Sequence, residues 1–208
     1  MRIWDLNPGY LNRSSLLGEH REMHGTVAVL VHNKKGYSKH PETLRWKGYG
    51  WALRMRHHQI KAEMELRGYN DNTPVRTRSN PGKWPTTYID TPREQLRILA
   101  GKYKDKDKEP GRIPLPKNGQ ELWAHHKYSV MARSVRLYKA IGKETAALRK
   151  GSEFAAIAQR ITEQLREAPS NGGMRNALEH MWGHVSDFAP EQKRNVASWT
   201  SKRLLSEI

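Results

Sequence analysis

Apolar residues recur at helical spacing along most of the chain. Over residues 14–33 they form one stripe when the segment is wound at about 100° per residue. That stripe, which is predicted to face the core, contains Leu16, His20, Met23, Val27, Leu30 and Val31. Over residues 49–67 a second stripe predicts a long helix, which Gly68 ends in a left-handed conformation. The second stripe contains Leu53, His57, Ile60 and Met64.

Further helices are predicted in the rest of the chain. Thr91 is followed by Pro92 and Glu94, which is the pattern of a helix cap, a first-turn proline and a capping box. Prolines at positions 110, 114 and 116 then interrupt the chain, and four helical patterns follow them. These patterns cover residues 120–141, a segment capped by Ser152, residues 174–182 and a segment opened by Pro190.

The fold class follows from these patterns. No strand-like alternation of any length appears between them, so the sequence predicts an all-α fold. We expect a compact helical domain over residues 1–117, followed by a helical C-terminal region over residues 118–208. The helix predicted at 120–141 can be assigned to either part.

Composition excludes several classes of protein. The chain has no cysteine, which excludes disulfides, thiolate zinc sites, cysteine-ligated iron–sulfur clusters and a cysteine nucleophile. It has no apolar run of about 18 residues, so no membrane span and no membrane partner are expected. The N-terminus lacks the apolar core of a secretory signal. We therefore expect a cytoplasmic protein.

Charge points to a polyanionic partner. The formal net charge is +16, with 37 basic and 21 acidic residues. Residues 1–117 hold 23 of the basic and 12 of the acidic residues, so most of the excess lies in the first half. Lysine and arginine neutralise phosphates and release counterions, so such a chain favours nucleic acid. A basic protein with no catalytic function has the same composition.

Glu22 has unusual neighbours on the first predicted helix. On a helical wheel it points away from the apolar stripe and lies beside Arg21. Gly18 and Gly25 fall four residues before and three residues after it, so the surface around the carboxylate carries no bulk. Each glycine costs a helix about 1 kcal/mol relative to alanine. The pattern indicates either a chemical site or an ordinary charged helix surface.

Two separated motifs carry a family resemblance. The first is the opening Met1-Arg2-Ile3 with Glu19-His20-Arg21-Glu22-Met23, and the second is Arg56, Ala62-Glu63 and Arg67-Gly68-Tyr69-Asn70. Together they resemble the pyrimidine-dimer DNA glycosylase/AP lyase family of the phage endonuclease V type. That family opens Thr-Arg-Ile after loss of its initiator Met and carries a Glu-Tyr-Arg-Glu-Leu motif.

The resemblance implies base-excision repair of damaged duplex DNA, with pyrimidine dimers as the candidate lesion and no cofactor. In the family the N-terminal α-amine is the nucleophile that forms a Schiff base, and the second Glu of the motif is the catalytic acid. Met1 and Glu22 occupy these positions here. An α-amine has an ordinary pKa near 7.7–8, far below the 10.4 of lysine, so it is more readily unprotonated at neutral pH.

The resemblance also implies a DNA-binding surface and a nucleoid-associated protein. The candidate contacts are Arg2, Arg21, His20, His24, Arg56, Arg76 and Arg78. Three departures from the family concern its DNA contacts. A motif arginine is replaced by Gly25, an upstream histidine by Ser15 and the motif tyrosine by His20. They bear on which lesion is recognised more than on the amine chemistry.

The second half resembles the YbgA-like domain of unknown function. The supporting segments are residues 123–132, which begin Trp-Ala-His-His-Lys, and residues 176–183, which begin Asn-Ala-Leu-Glu-His. This resemblance implies no established chemistry, and the oligomeric state is left open.

Two alternatives compete with the repair enzyme. His20 and His24 have the spacing of a helical metal pair, but the zinc-protease signature places its Glu directly after the first His. Glu22 projects about 160–200° away from both, so it could not activate a metal-bound water, and no metal is predicted. The second alternative is a nucleic-acid-binding protein without catalysis.

Overall fold

A computed structural model describes residues 1–104, 109–149, 152, 154–188 and 196–208. Over these residues the regular secondary structure is helical without a strand, which confirms the all-α fold class. The chain divides into two compact units, Met1–Leu115 and Pro116–Ile208. Among the described residues, no helix combines the length and the apolar character needed to cross a bilayer.

In its described residues, 1–104 and 109–115, the first unit is built on four α-helices. A single turn of 3-10 helix, Pro8–Tyr10, precedes them. The helices are α1 (Arg13–His32), α2 (Pro41–Trp46), α3 (Gly50–Leu66) and α4 (Pro92–Lys102). Helix α1 packs against α3, and the connection from α3 to α4 contains no regular element.

Local sequence signals account for most helix ends in this unit. Gly68 follows α3 with φ +76°, and the predicted α3 stripe is buried along its whole length. Thr91 and Glu94 form the predicted capping box of α4. Helix α1 differs from expectation at its start, because Asn12 supplies the cap by accepting a hydrogen bond from the backbone N–H of Ser15.

The apolar stripe of α1 is only partly in the core. Leu16 and Met23 are fully buried, whereas Val31 is 51% exposed. The prediction that Val31 packs inside is therefore wrong. Since Val31 in the last turn is exposed, the helical period of apolar residues alone overestimates how far the buried face of α1 continues.

The second unit contains helices α5–α9. Their bounds are α5 (Gly119–Met131), α6 (Val135–Ala147), α7 (Ala155–Leu165), α8 (Asn171–Val185) and α9 (Ser201–Glu207). Another 3-10 turn, Ser186–Phe188, follows α8. The helix predicted to open at Pro190 begins in a segment outside the described residues.

The single helix predicted over 120–141 is wrong, because α5 and α6 are separate. Helix α5 ends at Met131, and Ser134 caps α6 by accepting a hydrogen bond from the N–H of Leu137 at 3.2 Å. A β-carbon at Gly173 in α8 would collide with the carbonyl of Ala132. The break therefore lies where α8 makes its close backbone approach.

Candidate active site

Residues 1–6 form a segment outside any helix whose apolar side chains at positions 3, 4 and 6 are buried. Ile3, Trp4 and Leu6 are each no more than 3% exposed. Buried backbone groups must find hydrogen-bond partners, and here no neighbouring strand provides them. The partners come instead from polar side chains of the surrounding helices.

Those side chains hold the segment on both edges. The Trp4 N–H donates to Glu19 Oε1 at 3.0 Å, and the Asp5 N–H donates to Gln95 Oε1 at 2.8 Å. Arg45 donates to the Ile3 carbonyl at 3.1 Å, and Arg56 donates to the Leu6 carbonyl at 2.7 Å. We call Glu19, Arg45, Arg56 and Gln95 the clamp residues. All four are buried.

Arg56 and Glu19 also bind each other. Arg56 Nε lies 2.8 Å from Glu19 Oε1, and Nη2 lies 3.0 Å from Oε2. Burial raises the pKa of Glu19 to about 7, and the charge and hydrogen bonds of Arg56 act against that rise. Arg56 is 1% exposed. We therefore correct its assignment as a DNA contact, since it positions the N-terminal segment from within the core.

Replacing Arg56 with alanine is expected to destabilise the first unit by about 3–5 kcal/mol. The change leaves Glu19 buried without its ion partner and removes the donor to Leu6. Hydrogen exchange of α1 and α3 peptides would measure the lost protection. The matched control is Arg97→Ala, an exposed arginine on α4, which should change stability by no more than about 0.5 kcal/mol. Equal protection in the two variants would contradict a clamp role.

The clamp directs the chain terminus to Glu22. The α-amine of Met1 lies 3.9 Å from Glu22 Oε1, and the Arg2 N–H donates to Glu22 Oε2. Thr26 donates one hydrogen bond to the Met1 sulfur at 3.2 Å and is also 3.0 Å from the Glu22 carbonyl. The Met1 side chain is 8% exposed and that of Glu22 is 42% exposed. An amine and a carboxylate therefore meet at a surface that a ligand can reach.

The two glycines next to Glu22 face open space. A β-carbon at Gly18 or Gly25 would have no atom of another residue within 4 Å, apart from the helix backbone itself. Internal packing therefore does not explain either glycine. Because glycine has no side chain, the backbone of α1 is uncovered at these two positions beside the Glu22 carboxylate.

The remaining predicted arginines occupy the surface. Arg21 is exposed and donates to the Leu17 carbonyl of its own helix at 3.4 Å. Arg76 and Arg78 are exposed on the connection between α3 and α4. Arg2 pairs with Asp90 at 2.6 Å, and its guanidinium carbon lies 4.9 Å from the ring centre of Trp4.

The structure brings His20 and His24 together with two further residues. His20 Nε2 lies 3.2 Å from His24 Nε2 and 3.3 Å from Asp71 Oδ1, and His57 Nε2 lies 3.1 Å from Asp71 Oδ2. We call these four residues the histidine cluster. His20 is turned inward with a side chain that is 14% exposed, so we remove it from the DNA contacts. His24 reaches the surface and stays among them.

The cluster has a consistent electrostatic state. Burial lowers the pKa of His57 to about 4 despite the opposing charge of Asp71, and burial and the charge of His20 lower the pKa of His24. Burial acts to raise the pKa of Asp71, but hydrogen bonds from Thr73 and the neighbouring histidines bring it below its usual value. These shifts favour the neutral imidazole at His24 and His57 and the ionised carboxylate at Asp71.

Sequence reasoning missed His57 and Asp71 as partners of this cluster. One signal in the sequence could have linked His57 to His20, because the apolar stripes of α1 and α3 each contain one of these histidines and the two helices pack together. Asp71 gave no periodic signal, because it lies just after the helix in an irregular segment.

Comparison with known families covers both parts of the chain. Residues 1–77 match the family described as pyrimidine dimer DNA glycosylase, and residues 127–201 match the family described as protein of unknown function, DUF1722. No curated protein and no solved structure matches the chain significantly. The first match supports a DNA glycosylase-type enzyme. The second match confirms the resemblance of residues 127–201 to a family of unknown function. The first match confirms that residues 1–77 resemble the pyrimidine dimer DNA glycosylases.

Proposed function

We propose that this protein is a bifunctional DNA glycosylase/AP lyase that acts on damaged duplex DNA. The observation that carries the proposal is the approach of the Met1 α-amine to 3.9 Å from the half-exposed Glu22 carboxylate. The family match over residues 1–77 supports the same substrate class. Pyrimidine dimers are the first lesion to test.

The reaction begins with the unprotonated amine of Met1 as nucleophile. The amine attacks C1′ of the damaged nucleotide, and the base leaves with the electron pair of the N-glycosidic bond. The Glu22 carboxylate accepts a proton from that nitrogen and passes it to O4′ as the sugar ring opens, which leaves an iminium between C1′ and Met1. Glu22 lies close enough to donate that proton and to stabilise the cation by its charge.

Strand cleavage follows from the iminium by β-elimination. A base removes a proton from C2′, and the 3′ phosphate leaves with the electron pair of the C3′–O bond. Glu22, once it has given its proton to O4′, is the nearest carboxylate available to accept the one from C2′. Hydrolysis of the remaining imine returns the free amine. Release of the C2′ proton from Glu22 to solvent restores the carboxylate.

The exposed arginines provide the contacts to DNA phosphates in this proposal. Arg21 lies one residue from Glu22, while Arg76 and Arg78 extend the positive surface along the connection between α3 and α4. Arg2 would exchange Asp90 for a phosphate or share its guanidinium between them. A flipped nucleotide needs its flanking phosphates held in this way.

The test compares intact, ultraviolet-irradiated and abasic duplexes, each incubated with the protein and sodium borohydride. We expect cleavage of the abasic and irradiated duplexes and a covalent complex with each, because borohydride reduces the imine to a stable amine. Intact duplex should remain uncut. Binding to all three duplexes with neither cleavage nor trapping would contradict the proposal and favour a non-catalytic nucleic-acid-binding protein. Cleavage of abasic DNA alone would retain the lyase and exclude the dimer as its lesion.

We also propose a division of labour along the chain. Residues 1–117 would form the catalytic domain, and residues 118–208 would add DNA contact or self-association. The charge excess of residues 1–117 and the separate family match over residues 127–201 support this division. Such a protein would work at the nucleoid.

A further inference from the structure

We propose that the histidine cluster is a binding site for one divalent transition metal ion, best suited to Zn²⁺. His20, His24, His57 and Asp71 each offer one ligand atom, and the four atoms all lie within 4.8 Å of one another. Three imidazoles with one carboxylate form a donor set typical of zinc. This inference does not depend on the proposed repair activity.

The distances between ligand atoms match a tetrahedral ion. Zinc bonds of about 2.0–2.1 Å place neighbouring ligand atoms about 3.3–3.4 Å apart. Two pairs already lie near this spacing: His57 Nε2 is 3.1 Å from Asp71 Oδ2, and His20 Nε2 is 3.2 Å from His24 Nε2. The wider pairs would need to close by about 1.5 Å at most, a movement that small side-chain rotations can supply.

Hydrogen bonding alone leaves the cluster incomplete. His57 Nε2 and Asp71 Oδ2 lie 3.1 Å apart, yet both atoms are buried without a hydrogen bond of acceptable geometry. Buried polar atoms are rarely left without a partner in native proteins. A cation between them would bind both lone pairs and explain why they face each other.

The elements that supply the ligands are well placed to hold an ion. His20 and His24 are four residues apart on α1, so both project from one face of that helix. His57 projects from the buried face of α3, and Asp71 lies five residues after the end of that helix. The N–H of Thr73 donates to Asp71 Oδ1 at 2.9 Å, which orients the carboxylate as outer contacts of metal sites do.

The site would be structural. Four protein ligands close a tetrahedral zinc site, whereas a catalytic one keeps a position for water. Glu22 projects from α1 about 160–200° away from His20 and His24, so the ion would lie across the helix from Met1 and Glu22. Its effect would be to tie α1 and α3 to the start of the connection that carries Arg76, Arg78 and Asp90. Zinc binding itself is independent of the proposed function. Only the suggestion that the ion helps DNA binding, by fixing the position of this connection, rests on that function.

The test is a Zn²⁺ titration of the full chain, purified without a histidine tag and stripped with a chelator. Competition with a chromogenic chelator gives the affinity, and Co²⁺ in place of Zn²⁺ reports a tetrahedral site by its visible absorption. We expect one tight site and a higher melting temperature in the presence of Zn²⁺. Replacing one ligand should weaken Zn²⁺ binding by at least about 100-fold, more than the loss of an outer contact.

The variants are chosen to separate binding from folding. His24→Gln changes a partly exposed ligand, while His57→Gln and Asp71→Asn change buried ones. Controls are His58→Gln, the exposed neighbour of His57, and His184→Gln, which removes half of the exposed pair His180 and His184 on α8. That pair has the same spacing as His20 and His24.

The outcomes are decisive in both directions. Loss of the tight site in His24→Gln, with both controls at wild-type affinity, would support the proposal. Circular dichroism of the stripped variants shows whether their helices are intact. Absence of tight Zn²⁺ binding in the wild-type chain would overturn the proposal. An unchanged Zn²⁺ affinity in His24→Gln would overturn it too. If His184→Gln lost the tight site instead, the ion would bind on α8, and the proposal would likewise be wrong.

Discussion

Changing Glu22 to glutamine is expected to lower the rate of strand cleavage at abasic sites by about 10²–10⁴-fold while DNA binding stays within a few-fold of wild type. Glutamine has the same shape and keeps an oxygen to accept the Arg2 N–H. It cannot carry the negative charge that stabilises the iminium, nor exchange a proton with the sugar. The chemistry should therefore fail in a site that is still assembled.

Single-turnover cleavage of an abasic duplex would measure the rate, and fluorescence anisotropy of the same duplex would measure binding. The control is Glu65→Gln, which changes an exposed carboxylate on α3. It should cleave at the wild-type rate. A Glu22→Gln protein that cleaves as fast as this control would rule out a catalytic role for the carboxylate. Equal loss of binding and cleavage would indicate a positioning role only.

An N-terminal extension of two residues is expected to abolish both cleavage and borohydride trapping. The extension turns the Met1 amine into an amide, whose nitrogen has no available lone pair for attack. It also carries the new terminal amine about 7 Å along the chain. The Met1 side chain is nearly buried beside Thr26, and the clamp residues hold the next backbone groups, so the segment cannot slide to restore the geometry.

A C-terminal extension of equal length is the matched control and should leave both activities unchanged. Thermal melting of both proteins would show that the longer N-terminus still allows folding. Digestion of the trapped wild-type complex and mass spectrometry should locate the DNA remnant on Met1. A remnant on a lysine, or full activity in the N-terminally extended protein, would show that Met1 is not the nucleophile.

Several features of the site were readable from sequence because they depend on neighbours along the chain. The period of apolar residues predicted α1 and α3, and the capping box predicted the start of α4. Gly68 marked the end of α3 because few other residues adopt its positive φ. The motif around Glu22 indicated the family, which the match over residues 1–77 confirms.

Other features were decided only by tertiary packing. The helical period treats every apolar position of a helix alike, so Val31 was predicted inside although half of its surface is exposed. Likewise, the break after Met131 has a local signal in the Ser134 cap of α6, but the apolar pattern runs across it, and only the structure shows the approach of α8 through Gly173 at that point.

The contents of the candidate site show the same division most clearly. By itself the sequence determined which residues carry charge and which helix face they share, because both follow from residue type and a fixed rise per residue. It could not show that Arg56 turns inward to Glu19, or that Asp71 meets His20 and His57. Those pairings join residues far apart in the chain, and each depends on how the helices pack and exclude water around them. Tertiary structure alone decided that Arg56 is a buried clamp residue and that Arg21 is exposed at the surface.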